Sequence, residues 1–176
     1  MTRTPLLQRI HQGDPLLSDG AMGTLLHARG NLPMDECFEA LNLNDPDLVA
    51  NIHQEYVRAG ANLIETTTYG ANVYKQGEYG LADKVTEVNK AAVELAKWAA
   101  ARQDDVYVVG SVGPLGVRMK PFGKLSKADA RAAFTQQMRA LADAGAEAFL
   151  LETFTDHGEL LEAIAAAREV APDIPV

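Results

Sequence analysis

Apolar positions along the chain fall into two alternating patterns. Short runs follow a glycine or a polar turn at 16-LLSD-19, 61-ANLIETTT-68, 106-VYVVGSVG-113, 146-AEAFLLETF-154 and 173-DIPV-176. Each is too short for a helix and rich in Val, Ile, Leu or Thr, so buried strand is the better reading. Between the runs, apolar residues step by three and four. In 45-DPDLVANIHQEYVRAG-60, Asp45 caps the first turn, Pro46 takes the first helical position, and Leu48, Ile52, Tyr56 and Ala59 share a face until Gly60 ends the helix. A second helix is predicted from Leu81 to Ala99. A third is capped by Ser126 and carries Phe134, Met138 and Leu141, and a fourth spans about His157 to Val170.

Strand alternating with helix at this spacing predicts an α/β fold of parallel βα repeats, in which the crossovers cover an open sheet or close it into a barrel. An internal echo supports the repeat: 59-AGANLIETTTYG-70 and 144-AGAEAFLLETFTD-156 both run Ala-Gly-Ala, strand, Glu-Thr. Glu65 and Glu152 therefore hold equivalent strand-end positions. A barrel of this kind has eight units and typically about 250 residues. Four units and the start of a fifth are present, which leaves an open sheet or a truncated barrel.

Composition narrows the partners. The formal charge of −8 over 176 residues gives no basic footprint for phosphate backbones or anionic lipid, which argues against nucleic acid and membrane. The single cysteine, Cys37, permits no internal disulfide and suits a reducing compartment. No signal h-region opens the chain and no run of about 18 apolar residues occurs. The expectation is a cytoplasmic protein.

In parallel α/β folds the ligand lies at the carboxyl ends of the strands. Asp19, Glu65 and Glu152 all fall at such ends, and three carboxylates at one rim repel each other unless a cation sits among them or one is protonated. An ammonium group fits. Beside Asp19, the turn 20-GAMG-23 offers backbone N–H groups that suit an anion, especially where a helix begins. Together Asp19, Gly20, Ala21, Met22, Gly23, Glu65 and Glu152 describe a grip for a zwitterion, an α-amino acid. The plainer alternatives are that Asp19 only forms a turn and that the two glutamates pair with a neighbouring lysine or arginine. Arg118, Lys120 and Lys124 in the glycine-rich stretch 110–124 read as solvated. His11, His27, His53 and His157 show no ligand spacing and read as surface or capping residues, and Cys37 reads as a small apolar residue among helix formers.

DGAMGT at 19–24, ETTTYGAN at 65–72, GSVGPLG at 110–116 and LLETFTD at 150–156 together resemble the successive strand-end motifs of the homocysteine S-methyltransferase domain. With 34-MDECFEALNLNDPDLV-49 included, the chain is most similar to the N-terminal half of bifunctional proteins that fuse this domain to methylenetetrahydrofolate reductase. The resemblance implies a (β/α)8 TIM-type barrel. On this view residues 1–176 form one partial homocysteine-binding domain, truncated in or near the fifth strand. It assigns the homocysteine ammonium to Asp19 and Glu152 and the carboxylate to the Gly20 to Gly23 amides. Glu65 has weaker support from the family. Thr67 departs from it, since Asn is common there.

The resemblance also implies a zinc cofactor, held in the family by cysteines on the sixth and eighth strands, and Cys37 matches none of them. Zinc keeps the homocysteine thiol as thiolate, whereas a free thiol of pKa about 8.5 is a poor nucleophile at neutral pH. The implied partners are L-homocysteine and a methyl donor, the implied reaction gives methionine, and the fragment alone is expected to be inactive. The donor is not legible: a methylated corrinoid, methyltetrahydrofolate, betaine or S-methylmethionine all fit. Two other readings stay open, a different barrel enzyme of aldolase or isomerase type, and a non-catalytic half-barrel binding module.

Overall fold

The computed structural model describes residues 3–176. Helix α1 (Leu6–Gln12) ends on Gly13 in the left-handed conformation, and α2 (Gly23–Gly30) follows the glycine turn. A 3-10 turn (Phe38–Ala40) runs into the short α3 (Leu41–Asn44). Helix α4 (Pro46–Arg58) starts as its sequence predicts: the Asp45 side chain accepts the Leu48 N–H and Pro46 stands at the first position, where a missing N–H costs nothing. Strand β1 (Leu63–Glu65), helix α5 (Val73–Glu78), the 3-10 turn Ala82–Lys84 and helix α6 (Val85–Ala100) come next. They are followed by β2 (Tyr107–Val112), α7 (Lys127–Ala144), β3 (Ala148–Leu151) and α8 (His157–Val170). Ser126 caps α7 by accepting the Asp129 N–H, and Asp156 caps α8.

The strands pair in parallel in the order β1-β2-β3, with Glu65 opposite Val109 and Val112 opposite Leu151. Alternate residues of a strand face opposite ways, and here the two faces have different cover. Ile64, Val108, Val112 and Phe149 point into the main core with Val57 of α4, Val93 and Ala96 of α6, Phe134 and Met138 of α7, and Ala163 of α8. Leu63, Tyr107, Val109 and Ala148 point the other way, where Leu6 of α1 covers them. The four long helices therefore share one face, and the other is left for the strand-end residues that continue the alternation: Glu65, Ser111 and Glu152.

Every predicted strand is found shorter than its apolar run. The run 16–19 pairs only at Ser18, opposite Leu63, because Pro15 precedes it and the Gly20 turn follows. The run 61–68 stops at Glu65, since the Thr68 N–H turns back to the Thr66 carbonyl at 2.8 Å. The run 173–176 forms no strand. It makes one strand-like bond, from the Phe149 N–H to the Pro175 carbonyl, and Pro175 itself has no N–H to return. Two helix expectations also shift. Leu81 to Lys84 lies outside α6, as the end of a turn and a 3-10 segment, and Ala59 is exposed because α4 has ended at Arg58. His53, expected as a surface or capping residue, is fully buried on α4, and burial lowers its pKa to about 4, so it is a neutral core residue. Among the described residues no helix is long and apolar enough to cross a membrane.

Candidate functional site

The three acids reach the same place from three neighbouring segments. Glu65 is the last residue of β1. Glu152 follows β3, with its N–H still bonded to the Val112 carbonyl at 3.1 Å, and the Asp19 N–H bonds to the Leu63 carbonyl at 2.9 Å. With the turn Gly20 to Gly23 they line one cavity of about 490 Å3 at the carboxyl end of the strands. All seven residues predicted from the sequence are thus brought together.

Among the described residues none of the three carboxylates enters an ion pair. The Asp19 carboxylate accepts the Glu65 N–H at 3.0 Å, the Ser18 hydroxyl lies within reach of both Asp19 and Glu65, and the Ser111 hydroxyl donates to Glu152. Burial pushes the Asp19 carboxyl up to about 7; the Glu65 N–H opposes this and the Glu65 charge adds to it. Burial also raises Glu65, reinforced by the charge of Glu152. An acid cluster with no internal cation holds excess negative potential that an incoming ammonium relieves.

The adjoining turn has the complementary character. The Tyr56 hydroxyl donates to the Ala21 carbonyl at 2.8 Å, and a Cβ on Gly20 would stand only 3.0 Å from that hydroxyl oxygen, so the tyrosine packs against a bare backbone. Among the described residues none accepts a hydrogen bond from the amides of Gly20, Ala21, Met22 or Gly23, and α2 begins here without a side-chain cap. These are free donors at a helix start, suited to a carboxylate. The remaining lining is mixed: Leu26, Phe38 and Tyr69 give an apolar part, Thr66, Thr67 and Thr68 with Ser111, Thr153 and Glu39 a polar one, and among the described residues no lysine, arginine or histidine takes part.

Side chains the sequence reading did not single out hold the cavity in shape. The Thr68 hydroxyl donates to the Ser111 carbonyl at 2.7 Å. Its one proton being used, the Thr66 hydroxyl must donate to Thr68 while accepting the Ser111 N–H at 3.1 Å. The amides of Asn42, Gln137 and Asn89 then bind the carbonyls of Thr67, Thr68 and Ala71 at 2.8 Å each. Glu39, also in the lining, accepts the Gly70 N–H at 2.6 Å. No local pattern announces Glu39 or these amides; each acts on a loop distant in sequence. The Thr67 hydroxyl is buried without a partner among the described residues, which is the place where the resemblance expects Asn. Thr153, next to Glu152 and in the lining, sits at φ 61, a left-handed conformation costly for a β-branched residue.

The residues present do not fit a zinc site. Among the described residues no group of three or more His, Cys, Asp or Glu is placed to hold a metal ion. Cys37 precedes the Phe38–Ala40 turn rather than lying within a helix, and its buried Sγ faces Gln76 at 3.7 Å and Glu39 at 3.8 Å. Burial raises its pKa, with the Glu39 charge adding, which keeps the thiol protonated.

Residues 16–176 match the homocysteine S-methyltransferase family. The chain is 34% identical to the methionine synthases of Mycobacterium tuberculosis (strain ATCC 25618 / H37Rv) and Mycobacterium leprae (strain TN), over 87% and 94% of its length, but spans only 14% of theirs. Among solved structures it resembles the metallated form of the homocysteine methyltransferase MmuM from Escherichia coli, with a TM-score of 0.82 and 31% identity, covering 96% of this chain and 64% of that one. The apo form of the same enzyme gives a TM-score of 0.70 at 30% identity. The chain belongs to the homocysteine S-methyltransferase family.

Proposed function

We propose that this chain supplies the amino-acid-binding part of an enzyme that transfers a methyl group to the thiol of L-homocysteine. The observation that carries this is the convergence, in one cavity, of three unpaired carboxylates with the free amides of residues 20–23. Asp19 and Glu152 receive the ammonium, Glu65 supplies a further negative charge, and the Gly20 to Gly23 amides receive the carboxylate. The two ends of the zwitterion fix the amino acid, and its side chain runs along the apolar part of the lining, Leu26, Phe38 and Tyr69. An uncharged chain ending in a thiol suits these residues, because among the described residues no cationic side chain lines the cavity to receive an acidic one.

In the transfer, a bond forms between the homocysteine sulfur and the methyl carbon while the donor leaves with the electron pair of its broken bond, and the thiol proton is lost. Zinc is the metal the resemblance implies for holding that sulfur as thiolate. The described residues of this chain offer no group of ligands to hold it. The placement of α4, α6, α7 and α8 on one face of the sheet supports reading the fold as part of a (β/α)8 barrel, where all helices lie outside. A cytoplasmic location and a fused reductase domain belong to the same reading.

The test is calorimetric titration of the purified chain with L-homocysteine and with its deamino analogue, which keeps the thiol and carboxylate. Binding of homocysteine and a loss of at least tenfold for the analogue are expected, as one charge-assisted hydrogen bond is worth about 1.5–3 kcal/mol. Equal binding of the two would remove the ammonium from the account.

A further inference from the structure

The Tyr69 ring lines the substrate cavity, and behind it lies a second cavity of about 350 Å3 bounded by Cys37, Gln76, Gly116 and Lys75. Glu39 borders both, Tyr69 lines only the first and Lys75 only the second, and the two meet face to face between them. Lys75, on α5, passes through a slot made by two glycines. A Cβ on Gly70 would stand 3.2 Å from Lys75 Cδ, and one on Gly116 would stand 3.3 Å from its Cγ and Cε. The ammonium ends 4.3 Å from the centroid of the Tyr69 ring. It is half-buried and joins no ion pair among the described residues. The ring is also wedged against Gly113, where a Cβ would fall 2.3 Å from Tyr69 Cε2, and the Gly113 N–H donates to the Tyr69 carbonyl at 3.0 Å.

We propose that Lys75 is a positioning residue whose ammonium, laid over Tyr69, holds the ring as the wall between the two cavities and so sets the width of the substrate cavity. A buried-side cation facing an aromatic ring is attracted by the ring quadrupole, more strongly where water is partly excluded. The glycine slot restricts the course of the lysine stem, and the ring fills the space that the missing Gly113 side chain leaves open. The proposal rests on the homocysteine reading for its ligand; the ring contact itself does not depend on that reading.

The experiment compares Lys75→Met, which keeps the stem's bulk and loses the charge, with Lys75→Arg, which keeps the charge, in the chain labelled with 13C-tyrosine. The Tyr69 ring signals, assigned by their loss in Tyr69→Phe, should move in K75M and stay near their original position in K75R. Homocysteine affinity should fall about three- to tenfold in K75M, recover in K75R, and be unaffected by K75M when Tyr69 is already Leu. Circular dichroism verifies folding, and Lys75→Gln replaces K75M if that variant does not fold. Unchanged ring signals in the charge-free variant, or a full affinity loss that persists in the Tyr69→Leu background, would overturn the proposal. If the unaltered chain binds no homocysteine, the amino-acid reading fails while the ring signals still decide the role of Lys75.

Discussion

The Asp19 carboxylate accepts the backbone N–H of Glu65 at 3.0 Å, so the first acid of the site is held by the main chain of the second. The bond joins the glycine turn to the end of β1 and fixes the spacing of two like charges. Both carboxyls titrate above their ordinary range, chiefly because burial penalises the charged form, with the Glu65 charge adding to the rise of Asp19 and the Glu152 charge to that of Glu65.

Homocysteine binding should therefore weaken in acid. Asp19, with its pKa near 7, must be ionised to attract an ammonium, and below that value the ligand competes with a proton. Affinity should fall toward a slope of tenfold per pH unit once the pH is about one unit below the Asp19 pKa. Calorimetry across a pH series verifies this, and a flat profile would contradict it.

Stability should move the opposite way. The folded Asp19 carboxyl titrates near 7 and its ordinary value is 3.8, so between them the native state binds more protons than the unfolded chain. Stability then falls as pH rises from about 4 to about 7. Asp19→Asn removes this cost while its amide oxygen can still accept the Glu65 N–H. We expect a gain on the order of 1 kcal/mol above pH 7, discounted for partial exposure, that disappears below about pH 4. Urea unfolding at the two pH values measures it.

Glu152→Gln keeps shape and loses charge. Homocysteine affinity should drop about ten- to a hundredfold while thermal stability changes little, because the Ser111 hydroxyl can still donate to the Gln oxygen. Unchanged affinity by calorimetry would remove Glu152 from the ammonium site.

Gly113→Ala should cost about 1–3 kcal/mol by overpacking, since the new methyl would meet the Tyr69 ring at 2.3 Å. The displaced ring should also weaken homocysteine binding. Chemical denaturation and calorimetry on the same sample verify both effects, and an Ala variant as stable as the parent would mean that the ring moves freely.

Local rules of the chain made much of this fold legible. Asp45, Pro46 and Ser126 mark helix starts through their own backbone chemistry, and the Ala-Gly-Ala to Glu-Thr echo placed Glu65 and Glu152 at matching strand ends. Strand ends are not legible in the same way, because apolar and threonine composition cannot tell a paired residue from one whose hydroxyl reaches sideways, as Thr66 and Thr68 do toward Ser111. His53 escaped because its position on α4 became buried through packing with distant elements. Glu39, Lys75 and the left-handed Thr153 owe their roles to segments distant in sequence that only the fold brings together.

The most direct test of the amino-acid site is a crystal structure of the chain with L-homocysteine bound. The account predicts the α-nitrogen within hydrogen-bonding distance of the Asp19 and Glu152 carboxylates, the α-carboxylate on the amides of residues 20–23, and the side chain along Phe38 and Tyr69. Homocysteine seated outside this cavity, or reversed with its carboxylate toward the acids, would contradict it.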